Sequence, residues 1–259
     1  MIVKTINPER YQQLVNDAGK AAFSGWDFPW LKGRMIQDEP PWDYPALVRK
    51  HINNATNMLD MGTGGGELLS SLAPLPLDTH ATEVYPPNQQ LAQERLSPLG
   101  VEVHNIDEHH PMPFEDSRFD LVINRRESFD SVELARVLKP QGFFITQQVG
   151  GLDNLESNQV LEDKLSFPFT YWSLAKALTD LYNEGLFVDR AEKAALRSIF
   201  KDIGAVVYYL KAIPWQVVGF DPETYHERLV KIHNIIEREG QFVATAHRFL
   251  ILAQKMEVK

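Results

Sequence analysis

The feature that most constrains the fold of this chain is the stretch NMLDMGTGGGELL, residues 57–69, which holds four glycines within five residues. A short apolar run precedes the glycines and a leucine-bearing segment follows them, which is the order of a strand, a loop and a helix. Each glycine loses extra backbone entropy on folding, so four of them are costly in a turn that needs only tight geometry. The stretch therefore favours a loop that approaches a nucleotide-like ligand over a simple strand–helix turn.

The acidic residues around the glycines indicate which ligand the loop accepts. The dinucleotide fingerprint needs a glycine where the chain has Glu67, and the Gly-Lys-Ser/Thr of a phosphate-binding P-loop is absent. Asp60 at the strand tip and Glu67 in the first helical turn would repel a pyrophosphate from the helix N-terminus. S-adenosylmethionine carries a sulfonium and an ammonium but no phosphate, so the loop predicts this cofactor.

The overall composition limits the compartment and the partners. The 35 acidic residues outnumber the 26 basic ones, and the resulting formal charge of −9 disfavours general nucleic-acid binding. The chain has no cysteine, which excludes disulfides, cysteine nucleophiles and thiolate zinc sites. Its first residues lack the apolar core of a signal peptide, and no apolar run reaches the roughly 18 residues that span a bilayer. We therefore expect a soluble cytoplasmic protein.

Apolar runs and helical patterns alternate through the middle of the chain. Helical segments that end on glycine or proline separate the apolar runs from one another. The predicted strands lie at residues 57–61, 80–84, 101–105, 119–124 and 142–149. This alternation predicts an α/β fold with a doubly wound, mostly parallel sheet.

The pattern changes after the fifth predicted strand. An irregular segment leads into two consecutive helical segments before the sheet resumes. Helices are predicted at 170–185, 189–204 and 221–240, and two further strands at 205–213 and 245–256. A helical insertion at about residues 150–188 is therefore expected to cover the carboxyl edge of the sheet, where open α/β folds bind ligands.

Four motifs occur in order between about residues 45 and 150: MLDMGTGGGELL, ATEVYPPN, IDEHHPMPFEDSRFDLVINR and ELARVLKPQGFFITQQV. Together they resemble the class I S-adenosylmethionine-dependent methyltransferases, of the type that shares a domain with ubiquinone- and menaquinone-biosynthesis methyltransferases. The resemblance implies a Rossmann-like sheet of seven strands, of which the last is antiparallel. It also implies transfer of a methyl group from the cofactor.

The resemblance further implies a set of cofactor-binding residues. Residues at the glycine loop would line the methionine part, namely Asp60, Gly62, Thr63, Gly64 and Gly66. Glu83, about 20 residues beyond the loop with Val84 beside it, would hold the ribose hydroxyls. Asp107 or Glu108 would contact the adenine amino group; family members usually have one residue fewer between this acid and the following Pro-Phe, so both acids stay open. Asn124, at the end of the fourth strand, is expected near the cofactor as well.

The first 44 residues are predicted to form an aromatic-rich lid on a methyltransferase domain of residues 45–259. The aromatic residues of the lid are Trp26, Phe28, Trp30, Trp42 and Tyr44. Their rings would exclude water and attract a sulfonium through cation–π contact, and Arg34 would pair with the carboxylate of the cofactor. The alternatives are a hydrophobic strap on the domain and an exposed salt bridge at Arg34.

Polar residues after the fourth strand are the candidates for catalysis. Asn124 would orient an acceptor, and Arg125 or Arg126 would bind an anionic one. His110, like its neighbour His109, would act as a base, although adjacent histidines in a loop are commonly solvated. The remaining histidines are scattered along the sequence, so no metal site is expected.

The leading hypothesis is in-line methyl transfer from S-adenosylmethionine to a small-molecule acceptor. The alternatives are transfer to tRNA or rRNA, a non-catalytic protein that binds adenosylmethionine as a signal, and a nicotinamide-dependent reductase, against which Asp60 and Glu67 argue. The acceptor, its reacting atom, the need for a base and the oligomeric state stay open.

Overall fold

The computed structural model describes residues 4–22, 28–107, 111–165 and 168–257. Within these ranges eight strands form one sheet: β1 Met35–Gln37, β2 Asn57–Met61, β3 Asp78–Glu83, β4 Glu102–Asn105, β5 Phe119–Arg125, β6 Leu138–Val149, β7 Leu186–Phe200 and β8 Phe242–Lys255. The described α-helices are α1 Pro8–Lys20, α2 Tyr44–Ile52, α3 Glu67–Ser71, α4 Pro86–Leu96, α5 Ser131–Val137, α6 Leu155–Leu161, α7 Leu174–Asn183, α8 Ile203–Ala212 and α9 His226–Glu239. None of these helices combines the length and the apolar character that crossing a bilayer requires.

The strands lie in the order β1-β7-β8-β6-β5-β2-β3-β4. The pairs from β6 to β4 are parallel, whereas β8 runs antiparallel to both β6 and β7. The predicted doubly wound, mostly parallel sheet with an antiparallel last strand is thus confirmed, with eight strands instead of seven. The additional strand, β1, comes from the predicted lid and pairs with the last three residues of β7. The earlier part of β7 forms an outer edge, and a bulge at Asp189 interrupts its register with β8.

The sequence predicts a helix over residues 189–204 and a strand over 205–213, and both predictions are wrong. The first segment forms most of β7, and the second lies in α8, which begins after Asp202, whose side chain accepts a hydrogen bond from Ala205 N at 2.9 Å. Every residue of α8 except Lys211 is buried. A helix that is buried on every side has no polar face, so its apolar run resembles that of a core strand.

Helices cover both faces of the sheet. Because alternate residues of a strand point to opposite faces, Leu59 and Phe144 pack with α5 and α7 on one face, while Met58 and Ile145 pack with α2, α3 and α4 on the other. The face of Met58 also carries a second helix group, α1, α8 and α9, which packs on β7 and β8. Two groups of helices therefore share one face of the sheet.

The boundary between these two helix groups lies at the carboxyl edge of the parallel strands. On β8, Ala244 belongs to the core under α8 and α9, and Leu250 belongs to the core under α2 and α4. Arg248 stands between them, opposite Val149, which is the last residue of β6. The β7–β8 pair continues beyond this point to Phe242. Open α/β sheets bind their ligands at this edge.

Candidate active site

The glycine loop joins β2 to α3 and is fixed to the tip of β3. Thr63 N donates a hydrogen bond to Thr82 O at 2.9 Å, and Gly62 N donates to Thr82 Oγ1 at 3.2 Å. Gly64 has a φ of 63°, a left-handed conformation that residues with a side chain rarely adopt. The loop therefore presents bare main chain at the carboxyl edge of the sheet.

Glu83, the last residue of β3, holds the glycine loop in place. It is buried, and its Oε2 accepts a hydrogen bond from Gly64 N at 2.7 Å. Its Oε1 accepts from Val84 N at 3.1 Å and from Tyr85 N at 2.8 Å. Burial raises the pKa of Glu83, and the three N–H groups oppose that shift. A carboxylate has about four lone-pair positions, so this arrangement leaves about one, on Oε2, for a ligand hydroxyl.

Asp60, at the end of β2, is an acid whose charge the protein compensates poorly. Its side chain is 2% exposed. Burial raises the pKa of Asp60 to about 7, the charge of Glu83 adds to the effect, and Thr63 and Arg125 oppose it. A cation bound beside this carboxylate would supply the missing compensation and return its pKa toward the ordinary range.

Glu127 also lies against the glycine loop, which the sequence does not predict. A Cβ atom added to Gly62 would lie 2.5 Å from the Cβ of Glu127, so the two residues are in direct contact. The reason is the register of β2 and β5, which are parallel neighbours with Met61 opposite Asn124. Residues that follow two such strands meet at the same edge, and this pairing is the signal that would have revealed the contact.

Asn124 holds strand ends together. It is fully buried, its Nδ2 donates to Met61 O at 3.0 Å, and its Oδ1 accepts from Thr146 Oγ1 at 2.9 Å. Gln148 Nε2 donates to the same oxygen. The side chain thus connects β2, β5 and β6, and both lone pairs of its oxygen are used within the sheet. Asn124 therefore supports the strand ends that border the site, and its contact with cofactor or acceptor stays a prediction.

Trp42 and Tyr44 pack into the sheet beside the site. Trp42 Nε1 donates to Gln147 Oε1 at 2.7 Å, and Tyr44 Oη donates to Asn124 O at 3.0 Å and Ile145 O at 3.2 Å. Both rings are buried. These two aromatic residues of the predicted lid therefore anchor the start of α2 to the ends of β5 and β6.

Arg34 forms a salt bridge within the protein, which is the alternative to its predicted contact with the carboxylate of the cofactor. Its Nε lies 2.8 Å from Asp202 Oδ2, and its Nη2 donates to Asp202 Oδ1 at 3.1 Å. The guanidinium carbon also lies 3.7 Å from the ring centroid of Trp30, which stacks on Tyr208. Trp30 and Arg34 thus fasten the N-terminal segment to α8, and Trp26 lies outside the described residues.

Arg125 and Arg126 lie at the end of β5, next to the loop. Arg126 N donates to Gln147 O at 2.8 Å, and its φ of 68° is left-handed. Among the described residues, neither arginine forms a side-chain salt bridge. Arg248 and Asp153, which the sequence does not connect with this region, come close to Arg126 and influence its pKa.

The predicted adenine contact follows β4. Asp107 is exposed there, and the preceding residue, Ile106, donates its N–H to Glu83 O at 3.2 Å, so the segment runs beside the tip of β3. Glu108 and the base candidate His110 lie outside the described residues, as does His109. The structure therefore brings together the loop, Glu83 and the start of the predicted adenine contact.

The structure gathers three potential metal ligands where the sequence predicts none. His80, Glu102 and His104 lie close together on β3 and β4. His80 Nδ1 is 2.9 Å from His104 Nε2, and His80 Nε2 is 3.0 Å from Asp78 Oδ1. The two rings thus serve as hydrogen-bond partners for each other, an arrangement that needs no metal ion.

Comparison with known proteins agrees with this geometry. Residues 59–146 match the family model described as a methyltransferase domain, a range that covers β2 to β6 and includes the glycine loop, Glu83 and Asn124. No curated protein sequence matches the chain.

Solved structures share the fold at low sequence identity. A protein proposed to be a methyltransferase, from Bacillus halodurans C-125, is 19% identical, with a TM-score of 0.60 over 82% of this chain and 99% of its own. The YcgJ protein of Bacillus subtilis is 16% identical, with a TM-score of 0.58 over 83% of this chain and 99% of its own. A functionally unknown protein of Deinococcus radiodurans R1 is 12% identical, with a TM-score of 0.58 over 86% and 91%. Residues 59–146 of the chain therefore match a methyltransferase domain, and the solved structures share its fold.

Proposed function

We propose that this protein transfers a methyl group from S-adenosylmethionine to a small-molecule acceptor. The observation that carries the proposal is Asp60, a buried carboxylate with a pKa of about 7 beside bare glycine backbone. Phosphate would be repelled at such a place, and a sulfonium or ammonium would be attracted. The family match supports methyl transfer as the reaction.

In this proposal, residues at the carboxyl edge would bind three parts of the cofactor: its cationic methionine part, the ribose and the adenine. Asp60 and Glu127 would face its cationic methionine part, with the backbone of Gly62 and Gly64 alongside. Glu83 would accept a hydrogen bond from a ribose hydroxyl, for which Oε2 keeps an acceptor position. The acids at 107 and 108 are the candidates for the adenine amino group. When bound, the cofactor would supply an activated methyl group for transfer to the acceptor.

In this reaction the protein would align the acceptor with the methyl group and exclude water. Asn124, Trp42 and Tyr44 fix the strand ends that border the site through buried hydrogen bonds. A rigid edge of this kind would keep a bound acceptor in one orientation, and correct orientation accounts for much of the rate in a transfer that starts from an activated donor. The formal charge of −9 favours a small acceptor over RNA.

Calorimetric titration of the purified protein tests the cofactor. We expect S-adenosylmethionine and S-adenosylhomocysteine to bind and NADH not to bind. Transfer of a labelled methyl group to a panel of small molecules and to total tRNA then separates the acceptor classes. Binding of NADH in preference would overturn the proposal, and cofactor binding without turnover on any acceptor would favour the non-catalytic alternative.

The affinity for S-adenosylmethionine should depend on pH through Asp60. Protonated Asp60 offers no charge to a cation, so the affinity falls as the pH drops through the pKa of the free protein, about 7. We expect a loss of about tenfold between pH 7 and pH 5.5. Titration in buffers of different ionisation enthalpy should show proton release on binding near pH 7. An affinity that stays constant over this range would contradict the role of Asp60.

Replacing Glu83 with glutamine should weaken S-adenosylmethionine binding about tenfold to a hundredfold. An amide keeps one acceptor oxygen, so it cannot accept from Gly64 N on one side and from Val84 N and Tyr85 N on the other. Calorimetry measures the affinity, and hydrogen exchange at Gly64 reports the release of the loop. The control is Glu94→Gln on the exposed side of α4, which should bind normally.

A further inference from the structure

Three arginines lie together where the acceptor side of the site is expected. Arg125 pairs in register with Gln147, Gln147 pairs with Leu250, and Arg248 lies two residues before Leu250. Residues two apart on a strand share a face, and directly paired residues do as well. Arg125 and Arg248 therefore project from the same face of the sheet, at the boundary between the two helix groups.

Arg248 is a buried cation whose hydrogen bonds are incomplete. It is 6% exposed and forms a salt bridge with Asp153, and its Nη2 donates to Gln37 Oε1 at 3.3 Å. Its Nε is buried without a hydrogen-bond partner among the described residues, and the same holds for Nε of Arg125. Buried guanidinium N–H groups without partners are costly, so each of them offers a position for an acceptor oxygen.

Arg126 completes the group. Loss of surrounding water and repulsion by Arg125 and Arg248 lower its pKa to about 10, against the attraction of Tyr209 and Asp153. It remains protonated at neutral pH, and it is exposed to solvent, so a ligand can reach it. Its left-handed φ of 68° is a strained backbone conformation, of the kind that persists where a functional position requires it.

The charges of this group do not balance. Among the described residues, these three guanidiniums interact with two carboxylates, Asp153 and Asp60, in a protein whose formal charge is −9. Repulsion between partly buried positive charges destabilises the fold unless a bound anion offsets it. Arg125 also acts on the charge of Asp60, so the group adjoins the place proposed for the cationic end of the cofactor.

We infer that the methyl acceptor is a small molecule bearing a carboxylate or a phosphate, which Arg125, Arg126 and Arg248 bind between the carboxyl end of β5 and the middle of β8. This inference rests on the proposed function and names the substrate class of the same site. Guanidiniums bind both anions through paired hydrogen bonds, so the shared chemistry is a planar or tetrahedral oxyanion.

Ligand titration on the protein saturated with S-adenosylhomocysteine tests this inference. The probes are benzoate, phenyl phosphate and the neutral benzyl alcohol, with a short single-stranded RNA as a fourth. We expect the two anions to bind at least tenfold more tightly than benzyl alcohol, and the better of them identifies the anion type. Arg126→Gln and Arg125→Gln should each weaken anion binding about ten- to hundredfold, and Arg126→Gln should leave the affinity for S-adenosylhomocysteine within threefold.

The control variant is Arg190→Gln. Arg190 is exposed, forms a salt bridge with Glu192, and lies near the start of β7, at the end of the strand that does not pair with β1. The variant should bind all probes as the unmodified protein does. Equal binding of benzoate and benzyl alcohol, or anion binding unchanged in both arginine variants, would overturn the inference while S-adenosylhomocysteine still binds. Failure of S-adenosylhomocysteine to bind at all would overturn the proposed function first, and this inference with it. Tighter binding of the RNA than of either anion would assign the arginines to a nucleic-acid acceptor instead.

Discussion

Replacing Gly64 with valine is expected to abolish detectable S-adenosylmethionine binding in a protein that remains folded. The φ of 63° at this position is unfavourable for any side chain and most of all for a β-branched one. Relief of the strain moves Gly64 N away from Glu83 Oε2, now 2.7 Å distant, and the added methyl groups occupy the space the ligand needs. We expect the affinity to fall more than about a hundredfold, which calorimetry and ligand-induced shifts in Tm would measure.

The matched control is Gly185→Val, at the end of α7. Gly185 has a φ of 77°, and a Cβ atom added there would have no other atom within 4 Å, so valine brings similar backbone strain without new contacts. Both variants should lose stability, by about 1–2 kcal/mol, and only the variant at Gly64 should lose the ligand. Normal binding in Gly64→Val, or equal loss of binding in both variants, would contradict the site.

Asp60→Asn should make the protein more stable and its cofactor binding weaker. An acid with a folded-state pKa of about 7, above its ordinary value near 4, is destabilising in its charged form. This penalty is absent at pH values below about 4, grows as the pH rises, and is complete above pH 7. Removing the charge should therefore raise the free energy of unfolding by about 2–4 kcal/mol at pH 8 and by much less at pH 5.

The affinity of the same variant for S-adenosylmethionine should fall about tenfold to a hundredfold, because a charge-assisted contact with a cation is lost. Its remaining affinity should no longer change between pH 7 and pH 5.5. Urea unfolding at two pH values measures the stability, and calorimetry measures the affinity. A variant that is less stable than the unmodified protein at pH 8, or one that binds as tightly, would show that Asp60 is not a poorly compensated acid kept for a ligand.

The glycine loop and Glu83 could be predicted from the sequence because their chemistry is local. Glycines at Gly62 and Gly64 indicate a special backbone, and an acid about 20 residues later falls on the neighbouring strand of a parallel sheet. The structure places the loop after β2 and Glu83 at the end of β3, and their contact with a cofactor stays a prediction. The structure adds that Glu83 already binds Gly64, which no sequence pattern shows because that contact depends on the exact course of the loop.

The rest of the site comes from contacts between distant parts of the chain. Glu127 meets Gly62 through the pairing of β2 with β5, and Arg248 meets Asp153 after nearly a hundred intervening residues. Neither pair has a local signature, because each residue alone resembles an ordinary surface charge. The sequence predicts a helix where β7 lies and a strand where α8 lies, and distant contacts explain this error as well. α8 is buried on all sides because α1, α9 and the sheet surround it.

The outer edge of the sheet at β7 affects how the protein should behave at high concentration. A long strand with unpaired main-chain groups is a template on which further chains can add and aggregate. Here the bulge at Asp189 distorts that margin, and Arg190, Glu192 and Lys193 line it with charges of both signs. β1 pairs with the last three residues of β7, which are therefore not at the edge of the sheet. We therefore expect this edge to resist pairing with a strand from another molecule, and so to oppose the growth of fibres.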